Sequence, residues 1–380
     1  MKNKLLAAAI IAALPLTSQA VDFSYKGFGS LVGGLTTDKA DYQPSVKHGD
    51  GYYDQSFDID AESRLAVQFT AQFNSDLSVV GQVITRGARD WELELPWLYV
   101  NYQATDAVQI RVGRMKAPYY PYSDFQDVGL TLPWISAPTN AYIVPADHIT
   151  GINVLTTFST GAIDHTLEMY ASVMEDTLEL RSPTPDIAFD DSEVYGVSLT
   201  SNYDWLTTRV TYNEGHLDLD SDSLEGLNAA AVGIFGAGSS MDKKTKGDQL
   251  GIFMGFHARA DFEKVFFIAE YNILTFDDLL FPHQERAYIT TGYRVTEKFT
   301  PYLTLSKNDD NNTTVTATGD PALDAGFNAL SAGSNAEGWA IGGRYDLTSD
   351  IALKAEYSST DYDNNVNDEN TFRFAVDFIF

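Results

Sequence analysis

Four arginines, one lysine and two aspartates hold what chemistry this sequence offers, and that chemistry is electrostatic. Arg64, Arg86, Arg111 and Arg373 fall among alternating apolar and polar residues. Lys116, Asp124 and Asp127 lie in or beside a stretch rich in proline and aromatic residues. Basic and acidic groups set on opposite sides of a narrow aqueous space produce a transverse field, which orders water and favours polar or charged solutes over apolar ones. The alternative is that the arginines pair locally with Glu62, Glu92, Glu94 or Asp377.

Covalent chemistry finds no comparable footing. The six histidines, at positions 48, 148, 165, 216, 257 and 283, are scattered. No Gly-x-Ser-x-Gly or His-x-x-x-His spacing occurs, so neither a nucleophile elbow nor a zinc-binding helix is indicated. There are no cysteines, which removes thiolate and disulfide chemistry. Asp218, Asp220 and Asp222 resemble the opening of a calcium loop, but Ser223 stands where that loop needs glycine. No cofactor is called for. The net charge of −28 argues against nucleic acid as a partner, because phosphate binding needs a basic surface.

These charges need strands to position them. The segments 57–72, 108–112, 206–212, 250–259 and 351–358 alternate between apolar and polar residues, the period of a strand with one wet and one greasy face. Trp91–Tyr102 is apolar on both faces, with a change of phase expected at Pro96. Seven tight turns are marked by Asn, Asp, Gly, Ser and Thr near residues 74–76, 105–106, 160–164, 202–204, 261–264, 296–298 and 348–350. Eight longer polar connections separate them, at 37–56, 87–90, 117–147, 175–192, 215–246, 276–284, 308–335 and 361–369. Seven turns and eight loops make sixteen strands with both termini on the short-turn side, and an even count is what a closed bacterial barrel requires.

Both ends of the chain fit that picture. Lys2 and Lys4 precede an apolar run, Leu5–Leu16, and small residues at Ser18 and Ala20 follow. Residues 1–20 are therefore read as a signal peptide and 21–380 as an outer-membrane barrel. The chain closes on Phe372-Arg-Phe-Ala-Val-Asp-Phe-Ile-Phe380, with Phe372, Phe374, Phe378 and Phe380 on one face. Such a strand suits lipid outside a closed barrel and is the segment expected to engage the barrel-assembly machinery.

Residues 117–147 hold five prolines and six aromatics, too much apolar surface for an exposed loop. The barrel interior is a place where it can pack. Tyr119, Tyr120, Tyr122 and Trp134 then serve either as packing against the wall or as a stacking track for sugars, and packing is the favoured reading. Two outer loops, 175–193 and 308–337, are strongly acidic and form a solvated rim able to bridge divalent ions with lipopolysaccharide.

At this point the chain resembles the general porins of Gram-negative bacteria. The most specific segment is Arg111–Trp134, RVGRMKAPYYPYSDFQDVGLTLPW, similar to the third-loop region of marine and other gammaproteobacterial porins. The resemblance implies a sixteen-stranded all-β barrel with an inward-folded third loop at 117–147, a homotrimer, and passive diffusion of small hydrophilic solutes. The enteric Pro-Glu-Phe-Gly-Gly motif is replaced here by Ser-Asp-Phe-Gln-Asp-Val-Gly, and the second connection is short. Sugar- or anion-selective transport, or a closed structural or adhesin barrel, are the alternatives.

Overall fold

A computed structural model describes residues 21–38, 40–44, 51–138, 141–142, 144, 146–178, 187–220, 222–245, 248–277, 280–331, 333, 335–363 and 368–380. The expected signal peptide lies outside them. The first strands are β1 (Asp22–Thr36), β2 (Arg64–Gln72), β3 (Leu77–Arg86), β4 (Leu93–Thr105), β5 (Val108–Lys116) and β6 (His148–Thr160). Then come β7 (Ile163–Leu178), β8 (Ile187–Tyr203), β9 (Leu206–Asp220), β10 (Asp248–Asp261) and β11 (Val265–Asp277). The last are β12 (His283–Tyr293), β13 (Phe299–Asn311), β14 (Ala336–Asp346), β15 (Ile351–Tyr362) and β16 (Glu369–Ile379). Every strand pairs antiparallel with its sequence neighbours, and β1 pairs with β16, so the sixteen close into a barrel. No helix among the described residues is long and apolar enough to cross a membrane.

Turn chemistry fixes the hairpins. Asn74 Oδ1 accepts from the amides of Asp76 and Leu77, both at 2.9 Å. Thr296 Oγ1 accepts from Lys298 and Phe299, at 3.2 and 3.0 Å. Gly161 turns β6 into β7 at a φ of 64°, a conformation that suits glycine. Side chains sort by parity. On β13, Leu303 and Leu305 are exposed while Tyr302 and Thr304 are buried. On β16, Phe374 and Val376 are exposed, as is Phe380 just beyond it, while Arg373, Ala375 and Asp377 are buried. The exposed apolar positions face outward, which in water would be a liability and in a bilayer is what holds a barrel in place. Aromatics gather near the short turns: Tyr203, Trp205, Phe262, Tyr293 and Tyr345 are all exposed.

The seam where the barrel closes is set by close approach. Phe380 and Gly27 exchange two backbone hydrogen bonds, at 2.8 and 2.9 Å. The Phe380 ring lies over Gly27 and the Phe378 ring over Gly29, in space that a Cβ at either glycine would fill.

Three expectations change, and a fourth gains its structural form. Residues 57–63 are not strand: β2 begins at Arg64, and Asp58 makes only an isolated bridge to Gly34. The Phe57 ring covers Gly33 instead. Strands β7, β8, β9 and β13 run further outward than expected, to Leu178, from Ile187, to Asp220 and to Asn311. Asp218 and Asp220 thus belong to a strand and do not wrap a loop. Outer connections contain helices that the sequence reading passed over: α1 (Asp222–Phe235), α2 (Ser240–Lys244) and α3 (Pro321–Ser331). They share a small core of Ala231, Met241, Leu280 and Phe327. Finally, the register between β3 and β4 steps from Gln82–Trp97 to Ile84–Glu94. Exposure switches from Leu93 and Leu95 to Leu98 and Tyr102, so the phase change at Pro96 is a bulge.

Candidate functional site: the third loop and the wall it meets

The connection between β5 and β6, residues 117–147, leaves the wall at a closed neck, where the Ala117 amide donates to the Asp147 carbonyl at 2.7 Å. From there its described residues reach inward-facing side chains on more than half of the strands. A short 3₁₀ turn, Gly129–Thr131, gives the loop its only regular structure among the described residues.

Asp127 is the anchor on one side. Its Oδ2 accepts from Arg86 of β3 at 2.9 Å and from Lys116 at the end of β5 at 2.8 Å. Its backbone carbonyl accepts from Arg64 Nε of β2 at 2.7 Å. Burial alone would raise this carboxyl, but Arg86, Lys116 and Arg64 together hold it well below the usual carboxylate range. Arg86 is shared, its other nitrogen meeting Glu94 of β4 at 2.9 Å. Arg64, Arg86, Lys116 and Asp127 therefore form one bonded cluster and do not face each other across a gap.

A second anchor lies on the far wall. Lys354 Nζ of β15 donates to the carbonyls of Gly129 at 2.7 Å and Trp134 at 2.5 Å, and pairs with Asp377 of β16 at 2.8 Å. Arg344 of β14 donates to the carbonyls of Leu130 and Leu132, at 2.6 and 2.9 Å. Gly129 packs on Asp377 and Ser30 so closely that any side chain there would collide. The Trp134 ring, 1% exposed, donates from Nε1 to Thr290 of β12 and Thr304 of β13 at 3.0 and 3.2 Å. Asn272 of β11 donates to the Ala141 carbonyl at 3.2 Å. The sequence reading missed Lys354 and Arg344 as loop anchors. The available signal was parity, since each sits on the polar face of its strand.

The loop aromatics are structural. Tyr119, Tyr120, Tyr122 and Trp134 are all buried. Tyr120 stacks on Tyr142 with centroids 4.1 Å apart, and both Tyr119 and Tyr120 pack on Phe253 of β10. Tyr122 packs edge-on to Trp134 at 5.7 Å. Burial and then the Glu270 carboxylate hold the Tyr142 phenol well above its ordinary pKa, so it stays a donor. These rings pack chiefly on protein, although Tyr119 borders an apolar cavity of the outer lumen and Tyr120 a recess beside Asp127.

Arg111 and Asp124 are a different pair. They meet at 3.2 Å with side chains 20% and 43% exposed, the wettest of the loop's ionic contacts. Arg111 also lies over the Tyr99 ring, 5.7 Å from its centroid. Arg373 of β16 bonds Glu62 at 2.9 Å and Ser136 of the loop at 3.0 Å, and pairs with Glu356. It touches the loop through a hydroxyl and not through a loop carboxylate. A recess of about 160 Å³ opens beside the first anchor, bounded by Arg64, Arg86, Lys116, Asp127, Asp147 and His148.

One group of described residues has the composition of a metal site. Ligand atoms of Asp147, His148 and Asp176 lie within 4.8 Å of one another. The Lys116 ammonium stands 3.5 Å from Asp147 Oδ2, and Asp176 Oδ2 already accepts from the amides of Asp147 and His148. A cation there would compete with a fixed positive charge and two satisfied donors, so the set does not fit one well.

No protein-family profile matches the sequence, and no curated protein matches it. Solved structures do. The outer-membrane channel DcaP of Acinetobacter baumannii superposes with a TM-score of 0.61 at 13% identity, covering 96% of this chain and 99% of its own. OmpF of Salmonella typhi, in complex with daunomycin, gives 0.58 at 13%, over 94% and 97%. The anion-selective porin of Comamonas acidovorans gives 0.57 at 10%, over 95% and 100%. Sequence identity is low, while the matches extend over nearly the full length of each chain. The chain therefore has the sixteen-stranded fold of the porin-type barrels of the Gram-negative outer membrane.

Proposed function

We propose that this protein is an outer-membrane diffusion channel for small hydrophilic solutes and ions, working without covalent chemistry and assembling as a homotrimer. One observation carries the reading. The described residues between 117 and 147 are drawn across the inside of a closed barrel and held on two sides, by Asp127 on β2, β3 and β5 and by Lys354 and Arg344 on β14 and β15. A loop fixed so firmly inside a barrel sets an aperture. A mobile plug would need weaker ties.

In this reading Arg64, Arg86, Lys116, Asp127 and Arg373 build the frame of the constriction, and Arg111 with Asp124 carry the charge that passing ions meet. The acidic outer rim draws cations toward the mouth, though screening over a Debye length of about 8 Å weakens that pull compared with charges inside a narrow pore. The apolar outer face supports contact with lipid and with neighbouring copies.

The test is single-channel current in a planar bilayer under a KCl gradient. Conductance that closes in three equal steps is the expected result. A correctly folded barrel that carries no current would overturn the channel reading and favour a closed structural barrel. Block by sugars or by multivalent anions at low concentration would favour a substrate-selective channel.

A further inference from the structure

We propose that the outer third of the lumen holds a binding site for a small neutral amphiphile, with an alicyclic or aromatic body and one hydroxyl or amide group. The inward face of β7 to β11 changes character along its length. Near the middle of the barrel it offers Glu168, Asn213, His257, Glu270 and Asn272. Toward the long loops the same inward positions become Met174, Phe189, Leu217, Phe253 and Leu274, all buried. A wall that only had to pass water and ions has no need of that change, because apolar surface facing water is costly.

These side chains do not fill the space between them. They surround a cavity of about 440 Å³, within the range of small-molecule sites. Its roof limits the occupant. Leu330 of α3 lines the cavity and also packs into the helical cap of the outer loops. Phe281 closes another side, packed edge-on against Phe276 at 5.7 Å. With these two residues over it, the space suits a compact molecule of about ten to fifteen heavy atoms.

The polar groups at the edge choose the head. Gln284 offers an amide, while Asn213 is already engaged, its Oδ1 accepting from the Tyr170 hydroxyl at 2.9 Å and its Nδ2 donating to Thr211 at 3.1 Å. Of the charged residues in the lining, Arg286 and Asp310 are bound to each other through both guanidinium nitrogens, and the Glu214 carboxylate accepts from the hydroxyl of the outward-facing Tyr212 at 3.0 Å, so none of the three is left for a charged ligand. Neutral hydrogen-bonding groups are favoured over carboxylates and amines. The site depends on the barrel and not on conduction.

The native chain has no cysteine, which allows a clean chemical test. Leu217→Cys is placed in the full-length protein in lipid nanodiscs, and its reaction with N-ethylmaleimide is timed against increasing 1-adamantanol. Ser358→Cys on the inward face of β15 is the control. The expected result is saturable slowing at position 217, about tenfold when the alcohol reaches ten times its Kd, with no change at 358. No slowing, or equal slowing at both positions, would overturn the proposal. So would a thiol at 217 that never reacts, since the chain itself would then occupy the space. If Leu217→Cys does not show the heat-modifiable mobility of a folded barrel, Met174→Cys takes its place. Current is recorded from the same preparations: a silent barrel that still protects position 217 would sink the channel reading and leave this one standing.

Discussion

Lys354 and Asp377 face each other at 2.8 Å on neighbouring strands, and both side chains are shut off from water. The pair does more than neutralise itself. Lys354 spends its remaining hydrogens on two carbonyls of the third loop, so a buried wall charge becomes the loop's far anchor. Removing one member of such a pair strands the other in a low-dielectric site. Lys354→Met is expected to destabilise the barrel by on the order of 3 kcal/mol. Asp377→Asn added to it should recover part of that loss. Urea unfolding in lipid vesicles, arranged as a double-mutant cycle, measures the coupling; additive losses would show that the two residues act independently.

Asp127 ties the near end. Asp127→Asn keeps the shape but leaves Arg86 and Lys116 without their shared charge. The expected outcome is a loop that moves, seen as increased open-channel current noise, with stability reduced by about 2 kcal/mol or more. A quiet channel of unchanged stability would mean that the backbone contacts hold the loop alone.

The same residue predicts behaviour in acid. A carboxyl whose folded pKa is depressed contributes stability that is fully present above its unfolded value, near 4, and is lost only as pH falls through the folded value. Asp127 is held well below the ordinary range, by Arg86, Lys116 and Arg64 against the opposing effect of burial. The wild-type loop should therefore stay seated at pH 3, where an ordinary carboxyl is mostly protonated. In Lys116→Met the onset of current noise should move up toward pH 4. Channel recordings between pH 2 and 5 decide it, and coincident profiles would remove Lys116 from the account.

Asp124 is the accessible acid, and its prediction concerns selectivity. Asp124→Asn removes a negative charge beside Arg111 and should shift ion preference toward anions, by about twofold in permeability ratio, which is about 0.4 kcal/mol. Arg111→Gln should shift it the other way. The reversal potential in a KCl gradient reports both, and an unmoved value for the Asp124 variant would place that residue away from the path of ions.

Much of the barrel was legible in the sequence because a period of two, turn residues and loop length are local properties. The seven short turns fall where expected, and in three of them Asn74, Thr296 and Thr348 cap their own neighbours. What failed was also local in origin. Phe57 and Ile59 alternate with aspartates as a strand would, yet Phe57 serves to cover Gly33. Asp218, Asp220 and Asp310 read as loop but sit in ladders, because pairing with the next strand outweighs a weak intrinsic preference. The charged residues of the site could be picked by type and parity. Their partners could not, since Arg344 meets Leu130 across more than 200 positions of chain and no local pattern encodes such a meeting.

That separation has a consequence for how the protein is made. The near anchors come from β2, β3 and β5, the far ones from β14, β15 and β16. Until both halves of the chain are paired, the loop has only part of its docking points. The full set of anchors is in place only in the closed cylinder, where Phe380 is bonded to Gly27. If the barrel is the channel proposed above, the width of its opening is therefore a property of the closed cylinder alone, and a barrel with an open seam would be a leak of uncontrolled width.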